Sequence, residues 1–428
     1  MLPMVVASLR SLDAETNVFA HVCRAGSEPS ALCDVSLVKP PEPMGSCSPY
    51  SQGTIRNLKW CCWSASQDGH ISAAIIMGTV PGMEAGPIGY WSRLLAKEPP
   101  GVVIDAGAQV GLFTGTALSL GHHVVAVDAR PEHVRMIATS LKLNHMEGAA
   151  TVVHAALGSE CGKTVTIEQH EPGNPGSSHI KEHRRRKRMR RLREQMRRLQ
   201  ATSPHAHTST FQMRPPMRGQ LRSSSSFDNP LTRAQSKYRQ PTRFLPVGSA
   251  RGDQFHGQHQ SKVPMLTLDS IVQWLRQSRE SLGVHHRGQR YGSPLTTIPS
   301  NAPIHAIKLD VEGLEGRVFM GAASLMVRAL RPKLVIMELF VQRLHACNVR
   351  NFLGGFGLLN YTMDVSPRLN MPYCENNRAR CVGVSHRNGK LAPFLASLLP
   401  NAEMDLVFHS LSAEERKGKH PLAVAPRA

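Results

Sequence analysis

The stretch Val102-Val-Ile-Asp-Ala-Gly-Ala-Gln-Val-Gly111 decides how this chain is read. An apolar run closes on Asp105, and two glycines, Gly107 and Gly111, precede a helix-compatible stretch, Leu112 to Leu120. That order predicts a buried strand, a tight turn and a helix, since glycine adopts backbone conformations closed to other residues and lets neighbouring groups approach closely. Downstream, His123 to Val127 reads as a second buried strand closed by Asp128. Pro131 stands where a helix can start, and Glu132 to Leu143 carries apolar residues at Val134, Ile137, Ala138 and Leu141. Val152 to Leu157 reads as a third strand. Strands alternating with helices at this spacing predict an α/β fold: a mostly parallel, doubly wound sheet with helices on both faces.

Outward from this core the pattern stops near Glu171 and resumes at Val263. Between them lie 20 Lys and Arg and five acids, a net of +15, in a stretch rich in Ser, Gln, Pro and His. Too few aliphatic residues occur there to offset the ordering entropy, so residues 171–262 are expected to be a long disordered basic insertion, with 181–198 a candidate solvated helix. Beyond it, Val263 to Asp269 leads into a helix over Ser270 to Gln277. Ile304 to Leu309 is a strand ending in Asp310-Val-Glu312-Gly313, Glu315 to Leu330 a helix, and Lys333 to Leu339 a further strand. Leu344 to Leu353 can be helical, and Leu358 to Met363 and Arg380 to Ser385 would complete the sheet. The expected organisation is an N-terminal region over 1–85, a first part of the domain over 86–170, the insertion over 171–262, a second part over 263–410 and a polar tail over 411–428. In the first of these, His70 to Met77 reads as a strand.

In a doubly wound sheet, ligands bind at the carboxyl ends of the strands near the switch in strand order. Asp105 to Gly111 sits at such an end, and the helix after it offers unpaired N–H groups. Asp128 ends the next strand, where an acid can accept the hydroxyls of an adenosine ribose; the bland alternative is a helix-capping acid. The turn is D-x-G-A-x-x-G rather than G-x-G-x-x-G. An Asp opening it would repel a pyrophosphate and suit the cationic amino-acid end of S-adenosylmethionine (SAM), directly or through water, so SAM is favoured over NAD.

Two blocks in order resemble the FkbM-type SAM-dependent methyltransferases: Val102 to Gly111, and Ala306-Ile-Lys308-Leu-Asp310-Val-Glu312-Gly313-Leu-Glu315. Weaker matches are Leu266-Thr-Leu-Asp269, Gly321-Ala322 and Pro332 to Glu338. Gln109 stands where the family often has Asn, and Asp128 where it usually has Glu. The resemblance implies a Rossmann-like class I methyltransferase fold with a seven-stranded sheet. It implies SAM held by Asp105, Gly107, Ala108, Gly111 and Asp128, and transfer of a methyl group to a hydroxyl of a sugar, glycan or secondary metabolite. A hydroxyl is a poor nucleophile, so a general base helps; Asp310 and Glu312 are the expected catalytic pair, with Lys308 and His305 behind them. Asp269 and Glu338 are expected to orient loops near the pocket.

The 428 residues hold 51 Lys plus Arg against 31 Asp plus Glu, a charge of +20. Such a charge invites a nucleic-acid reading, but outside the insertion it falls to +5. The run 181–198 resembles a polyanion-binding or nuclear-localisation patch, so a nucleic-acid-directed methyltransferase is one rival and an inactive basic scaffold another. No apolar run is long enough to span a bilayer. Nine cysteines at 23, 33, 47, 61, 62, 161, 347, 374 and 381 form no CxxC pair, and no metal site is expected. A local disulfide among the first five is open; reduced cysteines in a soluble intracellular protein, with a nuclear setting suggested by the basic run, are the expectation.

Overall fold

The computed structural model describes residues 33–35, 38, 41–82, 84–171, 174–180, 261–282, 303–326, 331–341, 344, 349–369, 381–385, 389–398 and 402–410. These lie in one compact unit, 1–181 with 259–428. The expected helix over 181–198, the body of the insertion and the tail over 411–428 lie outside the described residues.

In chain order, β1 (Ser51–Ile55) and β2 (Leu58–Cys62) form an antiparallel hairpin, followed by α1 (Ile71–Ile76) and α2 (Ala85–Leu95). Next come β3 (Val102–Ala106), α3 (Leu112–Leu118), β4 (His123–Asp128), α4 (Pro131–Leu143) and β5 (Ala150–His154). A smaller sheet is built from β6 (Ala156–Leu157), β7 (Thr164–Glu171), β8 (Asn174–Ile180) and β9 (Ser261–Leu266), before α5 (Leu268–Leu282). The chain closes with β10 (Ile304–Leu309), α6 (Glu315–Met320), β11 (Leu334–Phe340), α7 (Val349–Leu358), β12 (Tyr361–Leu369), α8 (Leu391–Ser397) and β13 (Glu403–Ser410).

The main sheet has seven strands in the order β12-β13-β11-β10-β3-β4-β5. The pairs from β11 to β5 are parallel, and β13 runs antiparallel to both β11 and β12. This is the expected Rossmann-like architecture. Along β3 the side chains alternate between two cores: Val102, Ile104 and Ala106 pack with α5, α6 and α7 on one face, and Val103 with α2, α3 and α4 on the other. Both faces being covered, β3 is apolar throughout except for Asp105. Strand order reverses between β3 and β10, whose neighbouring carboxyl ends open the crevice where ligands bind in such sheets.

Several expectations are corrected. His70 to Met77 is helical, not a strand: Asp68 accepts the backbone N–H groups of His70, Ile71 and Ser72, capping α1, and a short apolar run does not by itself tell a strand from a helix. The insertion is shorter than 171–262, because Asn174–Ile180 pairs with β7 and Ser261–Leu266 pairs back across it. Main-chain pairing, invisible in a Pro-, Gly- and Ser-rich stretch, extends the fold at both ends. The reversed seventh strand is Glu403–Ser410, while Val384 makes one isolated bridge to Met363. The helix begun at Glu315 stops at Met320, and Gly321 follows at its end, packed so close to the Gly158 carbonyl oxygen that a Cβ there would lie 2.2 Å from it.

The cysteines are also corrected. Cys33 pairs with Cys161 and Cys47 with Cys61, Cys381 is disulfide-bonded, and Cys62 is the free thiol among the described residues. Cys33 and Cys161 are 128 residues apart, a pairing only the tertiary fold creates. No helix among the described residues is long and apolar enough to cross a membrane.

Candidate active site

The turn after β3 is held chiefly by protein rather than left open for a ligand. The N–H groups of Gly107 and Ala108 both donate to the Val127 carbonyl, at 2.9 and 3.0 Å. Gly107 has φ +79°, and a Cβ there would fall 1.7 Å from the Asp310 carbonyl oxygen. The close approach that requires glycine is therefore between two strand-end loops. Gly111, at φ +88°, faces the Trp60 ring, 2.8 Å from where a Cβ would sit. The Trp60 indole N–H donates to the Val110 carbonyl at 2.5 Å, so β2 buttresses the turn from behind.

Asp105 is fully buried beneath this turn. The Thr114 hydroxyl donates to its Oδ2 at 2.6 Å, and Lys308 Nζ lies 4.0 Å from Oδ1. Burial pushes its carboxyl upward, against the opposing pull of Lys308 and Thr114. Asp105, Ala108 and Gly111 do not line the cavity described below.

Asp128 does line it. Its Oδ2 accepts the Gln109 N–H at 2.8 Å; its Oδ1 accepts the Arg130 N–H at 2.8 Å and faces His133 Nδ1 at 3.1 Å. Burial works against its charge, but His133 and these N–H groups outweigh it and hold the carboxyl below its usual range. Gln109, held at φ +51°, is thereby tied to the end of β4.

Lys308 joins the two central strand ends. Its ammonium donates to the Gly107 carbonyl at 2.8 Å and to Asp310 Oδ2 at 3.3 Å, above the Phe113 ring. Burial disfavours that charge, yet Asp310 and Asp105 more than compensate and raise the pKa. The Asp310 N–H donates to the Ala106 carbonyl at 3.0 Å. Beyond it, Glu312 has φ +55° and Gly313 φ +94°, so the chain turns sharply and Glu312 joins the cavity wall. Glu315, buried in the first turn of α6, accepts the N–H groups of Val311 and Gly313 through Oε1, at 3.3 and 3.0 Å.

Gly107, Asp128, Asp310 and Glu312 thus meet at one cavity of about 430 Å³, within the usual size of cofactor and small-molecule sites, roughly 300–1,000 Å³. One wall continues through Ala129, Arg130 and Ala155 to Leu157, at the ends of β4 and β5 and in β6. The other carries Asp68, His70 and Glu84 from the N-terminal region and Glu338 and Phe340 from the end of β11. The hairpin β7–β8 adds Ile167, Gly176, Ser177, Ser178 and Ile180. Sequence reasoning missed the residues from 68–84 and 174–180; no motif marks them, and proximity in the fold alone brings them in. Asp269 lies elsewhere, its carboxylate accepting the N–H groups of Ser324 and Leu325 at 2.9 Å each. His305 lies at the start of β10, at the far end from the cavity, with Nδ1 3.6 Å from Glu98.

No protein-family model matches this chain, and no curated protein matches it. Among solved structures, it is similar to a SAM-dependent methyltransferase from Agrobacterium tumefaciens, at 12% identity over 26% of this chain, with a TM-score of 0.19. The match spans about a third of that protein, 33% of its chain. It is also similar to a putative RNA methyltransferase from Pyrococcus horikoshii, at 10% identity over 78% of this chain and 86% of that one, with a TM-score of 0.27.

Proposed function

We propose that this chain is a SAM-dependent methyltransferase of the FkbM kind that methylates a hydroxyl oxygen of an uncharged acceptor such as a sugar, a glycan or a secondary metabolite. The observation that carries this reading is the meeting of Gly107, Asp128, Asp310 and Glu312 at one cavity, at the switch in strand order.

The donor set fits the cofactor. An ionised carboxylate offers about four acceptor sites, and protein groups take three at Asp128. The remaining site suits one ribose hydroxyl. Ala129, Ala155, Ala156 and Leu157 supply an apolar slot beside it for a planar base. When bound, SAM would supply an electrophilic methyl group on a cationic sulfonium, and a wall rich in carboxylates suits that charge. Asp310 or Glu312 accepts the proton of the acceptor hydroxyl as the oxygen attacks. Lys308 fixes the Asp310 carboxylate through Oδ2. The packed loop pair around Gly107 would supply the rigidity that alignment of donor and acceptor needs in such transfers. Asp105 acts from below, through Thr114 and the Lys308 charge, rather than on the cofactor itself.

The acceptor wall speaks against a phosphate-bearing substrate. Glu84, Asp310, Glu312 and Glu338 line it, and Arg130 is the one Lys or Arg among the described lining residues. The Arg130 guanidinium is occupied, donating to the Pro175 carbonyl at 2.8 Å and lying 5.4 Å from the Trp63 ring centroid. Like charges juxtaposed in a site exclude wrong partners. The basic insertion, net +15, favours the nucleic-acid reading instead. Incubating the protein with labelled SAM and separate pools of glycans, metabolites and RNA, followed by mass spectrometry, decides between them. Label on a neutral hydroxyl compound is expected. Label on RNA, with binding that weakens steeply in salt, would replace this reading, and absence of SAM binding by calorimetry would favour the scaffold.

A further inference from the structure

Glu312 is a non-glycine residue in the left-handed region, at φ +55°. Such conformations cost free energy and persist only where the surroundings impose them, commonly at functional sites. Here the imposing group is identifiable. Glu315 is 2% exposed, and its Oε1 accepts the N–H groups on either side of Glu312, those of Val311 and Gly313. Its Oε2 is buried with no hydrogen-bond partner among the described residues, so the side chain bears a desolvation cost for this one task. A plain helix-capping acid would lie at the exposed end of a helix; this one is enclosed by the turn it holds.

We propose that Glu315 is a positioning residue, whose carboxyl clips the Val311–Gly313 backbone and so keeps Glu312 turned into the cavity. The clip is one of a pair. Lys308 holds Asp310 from the β3 side while Glu315 holds Glu312 from the α6 side, and Asp310 is the charged neighbour that Glu315 senses across the turn. The role of Glu312 rests on the methyltransferase reading above; the clip itself does not.

The test separates the two. In amide hydrogen exchange of the full chain, Glu315→Ala is expected to speed exchange at Val311 and Gly313 about tenfold or more. Glu315→Gln, which keeps the accepting oxygen, is expected to retain wild-type protection at both. Methyl transfer from labelled SAM is expected to fall in the Ala variant and return in the Gln variant, with SAM affinity by calorimetry unchanged in both. Unchanged protection in Glu315→Ala, or loss of it in a folded Glu315→Gln, overturns the clip. If the wild type binds no SAM while the two variants still differ in protection, the clip stands and the methyltransferase reading fails.

Discussion

The two walls of the cavity are made by different means. The wall proposed for the cofactor is strand ends and backbone: Gly107 against the Asp310 carbonyl, the Val127 carbonyl receiving two N–H groups, and Gln109 tied to Asp128. The wall proposed for the acceptor is side chains borrowed from elsewhere, with His70 and Glu84 from the segments leading into α1 and α2, and Glu338 from β11. The first wall is part of the folding core and tolerates little change. The second is presented by short elements and half-buried positions, where substitution alters the lining and leaves the core intact. On the proposed reading, such a division would let one sheet keep its cofactor while the acceptor changes.

The comparison breaks most visibly at Gly107. Gly107→Ala places a methyl group on the Asp310 carbonyl and a side chain at positive φ. A loss of about 4 kcal/mol or more is expected, measured by chemical denaturation; a loss below 1 kcal/mol would mean that the two loops are not rigidly packed. Next in size is the Cys33–Cys161 disulfide, which ties the N-terminal segment to the turn before β7. Cys33→Ser is expected to cost about 2–5 kcal/mol in the oxidised protein, and reductant should abolish the difference between the variant and the wild type.

Asp128→Ala should weaken SAM binding about 10–100-fold, roughly 1.4–2.8 kcal/mol. Equal affinity in the two proteins would remove Asp128 from the cofactor wall. The pH dependence of stability tests the buried turn. Burial pushes the Glu315 carboxyl up to about 7, from an ordinary 4.5. The folded chain therefore holds this proton more tightly than the unfolded chain. The stability so gained is complete below about pH 4.5 and is lost as pH rises through about 7. Glu315→Gln should flatten the fall in unfolding free energy between pH 5 and 8 by about 1–3 kcal/mol. Smallest in stability is the acceptor wall: His70→Ala and Glu84→Ala should lie within about 0.5 kcal/mol of wild type. Both should leave SAM affinity unchanged while methyl transfer to the true acceptor falls.

The legible part of this fold was the part whose side chains report their neighbours. Val102 to Ala106, His123 to Asp128 and Ile304 to Leu309 are apolar because both faces of the sheet are covered, and each was placed within a residue of its observed bounds. The reversed strand Glu403–Ser410 went unread. Met404, Leu406 and Phe408 alternate with Glu403, Asp405 and His409, a short strand pattern, but its place between β11 and β12 depends on long-range pairing that no local pattern gives. Asp105 was legible as a special residue, but its protein partners were not. The sequence shows an acid at a strand end; only the fold shows that Thr114 and Lys308 pack against it.

From the sequence alone came the parallel sheet, the two strand-end blocks and the concentration of charge in one segment, because burial period and composition are local properties. Only the tertiary structure decided that the cavity is lined by carboxylates in a chain of charge +20. It also paired Cys33 with Cys161 and made Glu315 face a backbone turn rather than solvent. The cavity lining and the disulfide join segments distant in sequence, and no local pattern encodes the distance between them; the Glu315 contact is local, two to four residues away, and the fold decides only that it is buried.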